Sequence, residues 1–345
     1  MLAIALALLA AEAAPSASAF EKYQADNETT CLGAADAALV NSDSFTESGF
    51  KFVLKGGRAE VHAEAAPKES RLGLLAAVKD FSPETKANLG QFVAAFKKAG
   101  VSGIVVDGDS AYGVDDQDST LTDLFSWLGE QGLPVYAVIG NSESRSSFNR
   151  ALLAAFRKHP LVINLNLVRR VEGDGFTLVS LPGYYDARYI HESAGCKYKP
   201  EDAQELSRIA RGAPSPVVLV THGPPRQEGK AALDVTDDGH NVGDPDLAAA
   251  IAESKISFGV FGHILESGGR ATDLEGKKPV KQGQLASALY LNPGPAFADP
   301  WGLNGGGVSH GMAAILTLKN GKGEWQQVKA GASDPRARLV KHKSN

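Results

Sequence analysis

The chain has 345 residues, 43% hydrophobic and 22% charged, with a formal net charge of −5 at pH 7. These values exclude a collagen-like, low-complexity or generally disordered chain and leave room for one large domain or two smaller ones. With 35 basic against 40 acidic residues there is no overall attraction to nucleic acid; only Arg336–Lys343 is locally basic, and it reads as a solvated tail.

Residues 2–11 read LAIALALLAA, an apolar run too short to span a bilayer as a mature helix. Small residues follow, ending in Ala17-Ser18-Ala19, the A-x-A pattern of a signal-peptidase site, although the usual positive n-region is missing. The expectation is a signal peptide over 1–19 and an exported protein, periplasmic or extracellular; the competing reading is a buried N-terminal helix. No other run has the length of a membrane span. Cys31 and Cys196 are the chain's two cysteines, and an oxidising compartment would allow one disulfide, whose formation the sequence leaves open.

Residues 20–70 are polar and Ala-rich and read as an extension with one short strand around Phe50–Leu54. From Arg71 the pattern changes. Leu72–Val78 has strand length. Pro83 opens a helix with Leu89, Phe92, Val93 and Phe96 on one face, and Gly100 ends it. Strand Val101–Val106, helix Leu121–Glu130, strand Val135–Ile139, helix Phe148–Lys158 and strand Leu161–Leu167 follow. This alternation argues for an α/β fold with a largely parallel sheet. Later strands are expected at Phe176–Pro182, Val217–Thr221, Ile256–Phe261, Ser287–Asn292 and Met312–Leu318, with a helix at Glu201–Ala210 and few others. That half reads as the second sheet of a sandwich, giving one domain over 71–330 and a basic tail over 331–345.

Four strand ends carry chemistry. They run into Gly108-Asp109, Gly140-Asn141-Ser142-Glu143, Thr221-His222-Gly223-Pro224-Pro225 and Gly262-His263-Ile264-Leu265-Glu266. Ligands in open α/β sheets bind at the carboxyl ends of strands. One Asp, one Asn and two His form a mixed oxygen and nitrogen set suited to manganese, iron or zinc. Each motif alone is an ordinary turn or a structural histidine; four in order are hard to explain that way. There is no P-loop and no G-x-G-x-x-G after a strand, and Gly108–Gly113 misses a nucleophile elbow by one residue.

The set resembles the calcineurin-like metallophosphoesterases, whose motifs run D-x-H, G-D, G-N-H-D/E, T-H-G-P and G-H-x-H, with a closing strand like Leu289–Gly294 here. The resemblance implies two stacked mixed β-sheets flanked by helices. It implies a metal held by Asp109, Asn141, His222 and His263, and hydrolysis of a phosphate ester by metal-bound hydroxide. The departures concern a second metal. The second His of G-H-x-H is Leu265, and Glu266 is the nearest substitute. The first motif falls on Asp80-Phe81-Ser82, keeping Asp80 as a ligand, or on Ala77-Val78-Lys79, placing a fixed positive charge there. The His of G-N-H-D/E is Ser142, a poor general acid, so Ser142 and Glu143 are the catalytic candidates, with Arg145 and His240 as further substitutes. The expected cofactor is one divalent transition metal, with a second site doubtful, and the expected partner a phosphate-containing small molecule or ester. The expected activity is weak hydrolysis, against an inactive relative that binds a phosphate ligand or serves the envelope structurally.

Overall fold

The computed structural model describes residues 18–214 and 216–331. The run at 2–11 and the basic stretch Arg336–Lys343 lie outside them; of the A-x-A site Ser18 and Ala19 are described, Ser18 capping the first helix through its bond from Glu21 N. In chain order the described helices are α1 (Ala19–Asp26), α2 (Pro83–Ala99), α3 (Gln117–Gly129), α4 (Arg145–Lys158), α5 (Pro200–Gln204), α6 (Leu206–Ala210) and α7 (Pro245–Ser254). The strands are β1 (Ala38–Glu47), β2 (Phe50–Gly56), β3 (Arg58–Ala63), β4 (Ser70–Ala76), β5 (Gly103–Asp107), β6 (Val135–Val138), β7 (Val162–Asn164), β8 (Arg170–Gly173) and β9 (Phe176–Leu181). They continue as β10 (Val217–Thr221), β11 (Phe258–Val260), β12 (Arg270–Thr272), β13 (Leu289–Asn292), β14 (Trp301–Gly302), β15 (Val308–Ser309), β16 (Met312–Lys319) and β17 (Lys322–Lys329).

Among the described residues, the strands form two large mixed sheets, ordered β17-β16-β4-β5-β6-β7 and β1-β2-β3-β8-β9-β10-β11-β13-β12, plus the small pair β14-β15. The inner strands are buried on both faces, which explains why they read as continuous apolar runs. Alternate residues serve different layers. Leu72, Leu74 and Val105 meet Val218, Val220 and Leu291 between the sheets. Leu75, Ile104 and Val106 face Leu89, Phe92 and Phe96 of α2 and Leu124 of α3. Val179, Leu181 and Leu219 face Leu206 of α6 and Leu247 and Ile251 of α7. The result is a four-layer sandwich, helices outside and two sheets inside, as the motifs implied.

Two expectations are corrected. Met312–Leu318 does not belong with the second sheet: β16 lies antiparallel to β4, with Leu316 opposite Leu72, and so extends the first. The second half also holds α7, whose Ala-rich sequence lacks a clear polar face, and the 201–210 helix is two short helices rather than one. The strand at Phe50–Leu54 is present within β2, and β1 and β3 flank it; β3 pairs in parallel with β8, so 38–63 forms the edge of the larger sheet. Cys31 and Cys196 are bonded, their Cα atoms 5.3 Å apart. This link fastens the N-terminal segment to the loop between β9 and α5.

Strands β4, β5 and β6 run parallel, as do β9, β10, β11 and β13. Their carboxyl ends therefore open at one rim of the sandwich, where the four motifs lie.

Candidate metal centre

The backbone at this rim is tight. Gly108, after β5, has φ +66°, and a Cβ there would collide with Nδ1 of His222. A Cβ on Gly140 would meet the Asp109 amide at 2.5 Å. Both positions therefore require glycine. Non-glycine residues with positive φ concentrate here as well: Ala77, Lys79, Asp109 and His263. Such conformations cost of order 1–3 kcal/mol each and persist only where surrounding contacts impose them.

Two buried side chains brace the loops that carry Asp109 and His263. The Glu143 carboxylate accepts from Ser110 N and, at 3.1 Å, from Gly140 N, tying the loop after β6 to the loop after β5. Asn292, at the end of β13, donates to the carbonyls of Gly262 and Ile264 at 3.0 and 2.8 Å and so holds the His263 turn.

The four ligand candidates converge. His222 Nε2 lies 2.8 Å from Asn141 Oδ1 and 3.2 Å from Asp109 Oδ1, and His263 Nδ1 lies 2.9 Å from Asn141 Oδ1. Asn141 donates its amide to the Tyr189 carbonyl at 2.6 Å, which fixes its oxygen toward the histidines. His222 Nδ1 is 3.1 Å from the Asp107 carbonyl and is protonated to donate to it, leaving Nε2 to face the two oxygens. Electron-pair donors in this arrangement repel unless a proton or a cation lies among them. Asp109, His222 and His263 alone form a group that could hold a metal ion. Buried polar atoms without a hydrogen-bond partner belong to residues of these same loops: both carboxylate oxygens of Asp107, Ser110 Oγ and Thr221 Oγ1. The donor set and its unmatched oxygens fit a divalent cation.

The protonation pattern agrees. Burial works against a charged His222, but Asp109 with its hydrogen bond, then Asp107 and Glu143, outweigh it and push the ring up to about 9. Burial likewise opposes ionisation of Asp109, yet His222, His263 and the Ser142 hydroxyl hold it below the ordinary carboxylate range. Burial and then the neighbouring His222 push His263 down to about 3. Asp107 and Glu143 rise to about 7, mainly through burial. His222 thus carries a proton where a cation would bind.

The other candidates separate. Asp80 is not brought into the metal group; its Oδ1 accepts from Ser82 N at 2.9 Å, and Ser82 is the N-cap of α2, accepting from Thr85 N at 3.2 Å. The register at the rim is therefore Ala77-Val78-Lys79: Ala77 N and Lys79 N donate to the carbonyls of Gly108 and Asp109. Leu265 packs with Ala77 and Phe297 in an apolar cluster against Trp301. Glu266 stays outside the metal group. Glu143 is a backbone clamp, while His240 is exposed and paired with Asp238 at 2.9 Å.

The sequence reading assigned no role to Asp107, Asn292 or His191. Asp107 ends a strand, where an acid reads as a turn residue. The Tyr184 ring centroid lies 4.3 Å from that of His263. His191 N donates to the Asn141 carbonyl at 2.9 Å. With Tyr112, Gln117, Ser142, Ser144 and Glu192, His191 lines a polar cavity of about 520 Å³ beside the centre. No sequence signal marks it, because its loop is placed by the Cys31–Cys196 bond.

A family model described as calcineurin-like phosphoesterase matches residues 62–267. No curated protein matches the chain in sequence. Among solved structures, TT1561 of Thermus thermophilus superposes with a TM-score of 0.52 at 12% identity, covering 76% of this chain and 99% of that one. A dimetal phosphatase from Danio rerio has a TM-score of 0.47 at 15% identity, covering 75% and 98%. GAP50, the anchor in the inner membrane complex of Plasmodium, has a TM-score of 0.47 at 14% identity, covering 81% and 89%.

Proposed function

From the premise that the chain belongs to the calcineurin-like phosphoesterase family, we propose that it is an exported protein that hydrolyses a phosphate ester at one divalent cation. The convergence of Asp109, Asn141, His222 and His263 carries this reading. When bound, a divalent cation supplies Lewis acidity toward a phosphoryl oxygen and makes water nucleophilic near neutral pH.

The chain's own residues do the rest. His222 would hold the cation through Nε2, once that nitrogen has lost its proton, while Nδ1–H goes on donating to the Asp107 carbonyl. Glu143 and Asn292 hold the loops in register. The polar cavity receives the ester's leaving group, and His191, which lines it, hands that oxygen a proton. The Ser142 hydroxyl is a poor acid, so activated esters react fastest. The disulfide and the apolar run at 2–11 support export, since disulfides persist in oxidising compartments. Among the described residues no helix is long and apolar enough to cross a membrane.

A second reading, an inactive relative that binds a phosphate ligand, is favoured by Ser142 and by the apolar cluster around Leu265. Hydrolysis of p-nitrophenyl phosphate by the manganese-loaded protein separates the two. Turnover that vanishes in His222→Ala supports the enzyme; equal background rates in both proteins refute it.

A further inference from the structure

Lys79 sits at the rim in an unusual state. Its backbone is left-handed, with φ +60°. Its ammonium lies over three aromatic rings, 4.4 Å from the Trp301 centroid, 4.7 Å from Phe297 and 5.4 Å from Tyr112. The side chain is half-buried, and Asp109, Glu266, Asp299 and Asp80 act on it only as charges at a distance, without a hydrogen bond or ion pair among the described residues. Ring faces stabilise a cation but accept none of its three N–H bonds in line. A left-handed backbone thus holds an ammonium over aromatic rings, without a protein hydrogen-bond partner among the described residues and within electrostatic reach of the metal group's own carboxylate.

Leu265 and its neighbours Ala77, Phe297 and Trp301 offer a metal ion no ligand at that spot, and the carboxylates of Glu266, Asp299 and Asp80 act on the ammonium without ion-pairing to it. What the spot suits is an anion already anchored on the other side of Asp109. Resting on the reading above that Asp109, His222 and His263 hold a cation, we propose that the Lys79 ammonium is the second cation of the centre. It binds a non-bridging oxygen of a phosphate group, which is clamped between one divalent ion and one ammonium. Lysine suits this role as a compact point charge with three donors, and such charge-assisted bonds are about twice as strong as neutral ones. The ligand class is inorganic phosphate or a phosphate monoester, whose terminal group has enough free oxygens to meet both cations.

The test is calorimetric titration of inorganic phosphate into the manganese-loaded full chain, beside elemental analysis of bound manganese. Lys79→Met keeps length and apolar packing in the cage and removes the charge; Lys79→Arg keeps the charge. The expected result is one manganese per chain in all three proteins. Phosphate affinity should fall roughly tenfold to a hundredfold in Lys79→Met and stay within a few-fold of wild type in Lys79→Arg. Equal melting temperatures for wild type and Lys79→Met confirm that the loss is not unfolding; if the Met variant is unstable, Lys79→Gln takes its place, and unchanged phosphate affinity there overturns the proposal instead. Unchanged phosphate affinity in a folded Lys79→Met overturns it while leaving the metal reading intact. Two manganese ions in wild type overturn it too, because the second would occupy the ammonium's place. Failure of wild type to bind manganese at all overturns both this inference and the reading on which it rests.

Discussion

Cation binding should displace a proton from His222, and pH is the perturbation that exposes it. In the metal-free centre this ring titrates at about 9 because Asp109, 3.2 Å away, with Asp107 and Glu143 outweighs the cost of burial. A cation needs the neutral ring. His263, at about 3, is already neutral throughout the working range. The apparent affinity for manganese should therefore rise about ninefold from pH 7 to 8, ~1.3 kcal/mol, and about fivefold from pH 8 to 9, ~1 kcal/mol, as the ring approaches its own titration. At pH 8, where Asp107 and Glu143 are largely ionised, close to one proton should leave per cation bound. Stability must follow the same linkage. The folded value lies above the ordinary 6.5, so the His222 contribution is complete below 6.5 and is lost as pH climbs through 9. The melting temperature of metal-free protein should fall over that window, and the gap to the manganese-loaded protein should widen. Calorimetry in two buffers of different ionisation enthalpy counts the protons. An affinity that is flat from pH 7 to 9, with no proton released, would refute the account of a protonated His222 at the centre.

Two other predictions probe the frame. Glu143→Gln presents an amide N–H₂ to one of two backbone donors, Ser110 N or Gly140 N, leaving it unsatisfied and buried; thermal unfolding should show a loss of about 1–3 kcal/mol, and no loss would mean that the two loops are held by other contacts. Leu265→His should not create a second metal site, because the new imidazole would stand unpartnered among Ala77, Phe297 and Trp301. The variant should lose about 2–4 kcal/mol of stability and still bind one manganese ion, and a second equivalent by elemental analysis would contradict this view of the cluster.

The legible parts of the sequence were those where one physical demand fixes one pattern. Strands buried on both faces, such as Gly103–Asp107, must be apolar, and glycines must stand where His222 and Asp109 crowd the backbone, so the motifs at their ends could be read in order. Long-range pairing was not legible. Nothing in Met312–Leu318 says that it returns to β4 rather than to its sequence neighbours. Nor does anything local in 38–63 announce an edge of the larger sheet. The register of the first motif stayed open because Asp80 and Ser82 are good ligand or cap residues by composition; the structure uses them for the turn and cap of α2 and sends Lys79 to the rim. His191 and Asn292 act through loops whose positions depend on a disulfide and on neighbouring backbone, which no local pattern encodes.

The most direct test of the account is the metal content of the purified protein after incubation with manganese, beside His222→Ala and His263→Ala. Asp109, Asn141, His222 and His263 should hold one ion per chain, lost or severely weakened in either variant. No bound ion in wild type, or one retained unchanged in both variants, would contradict it.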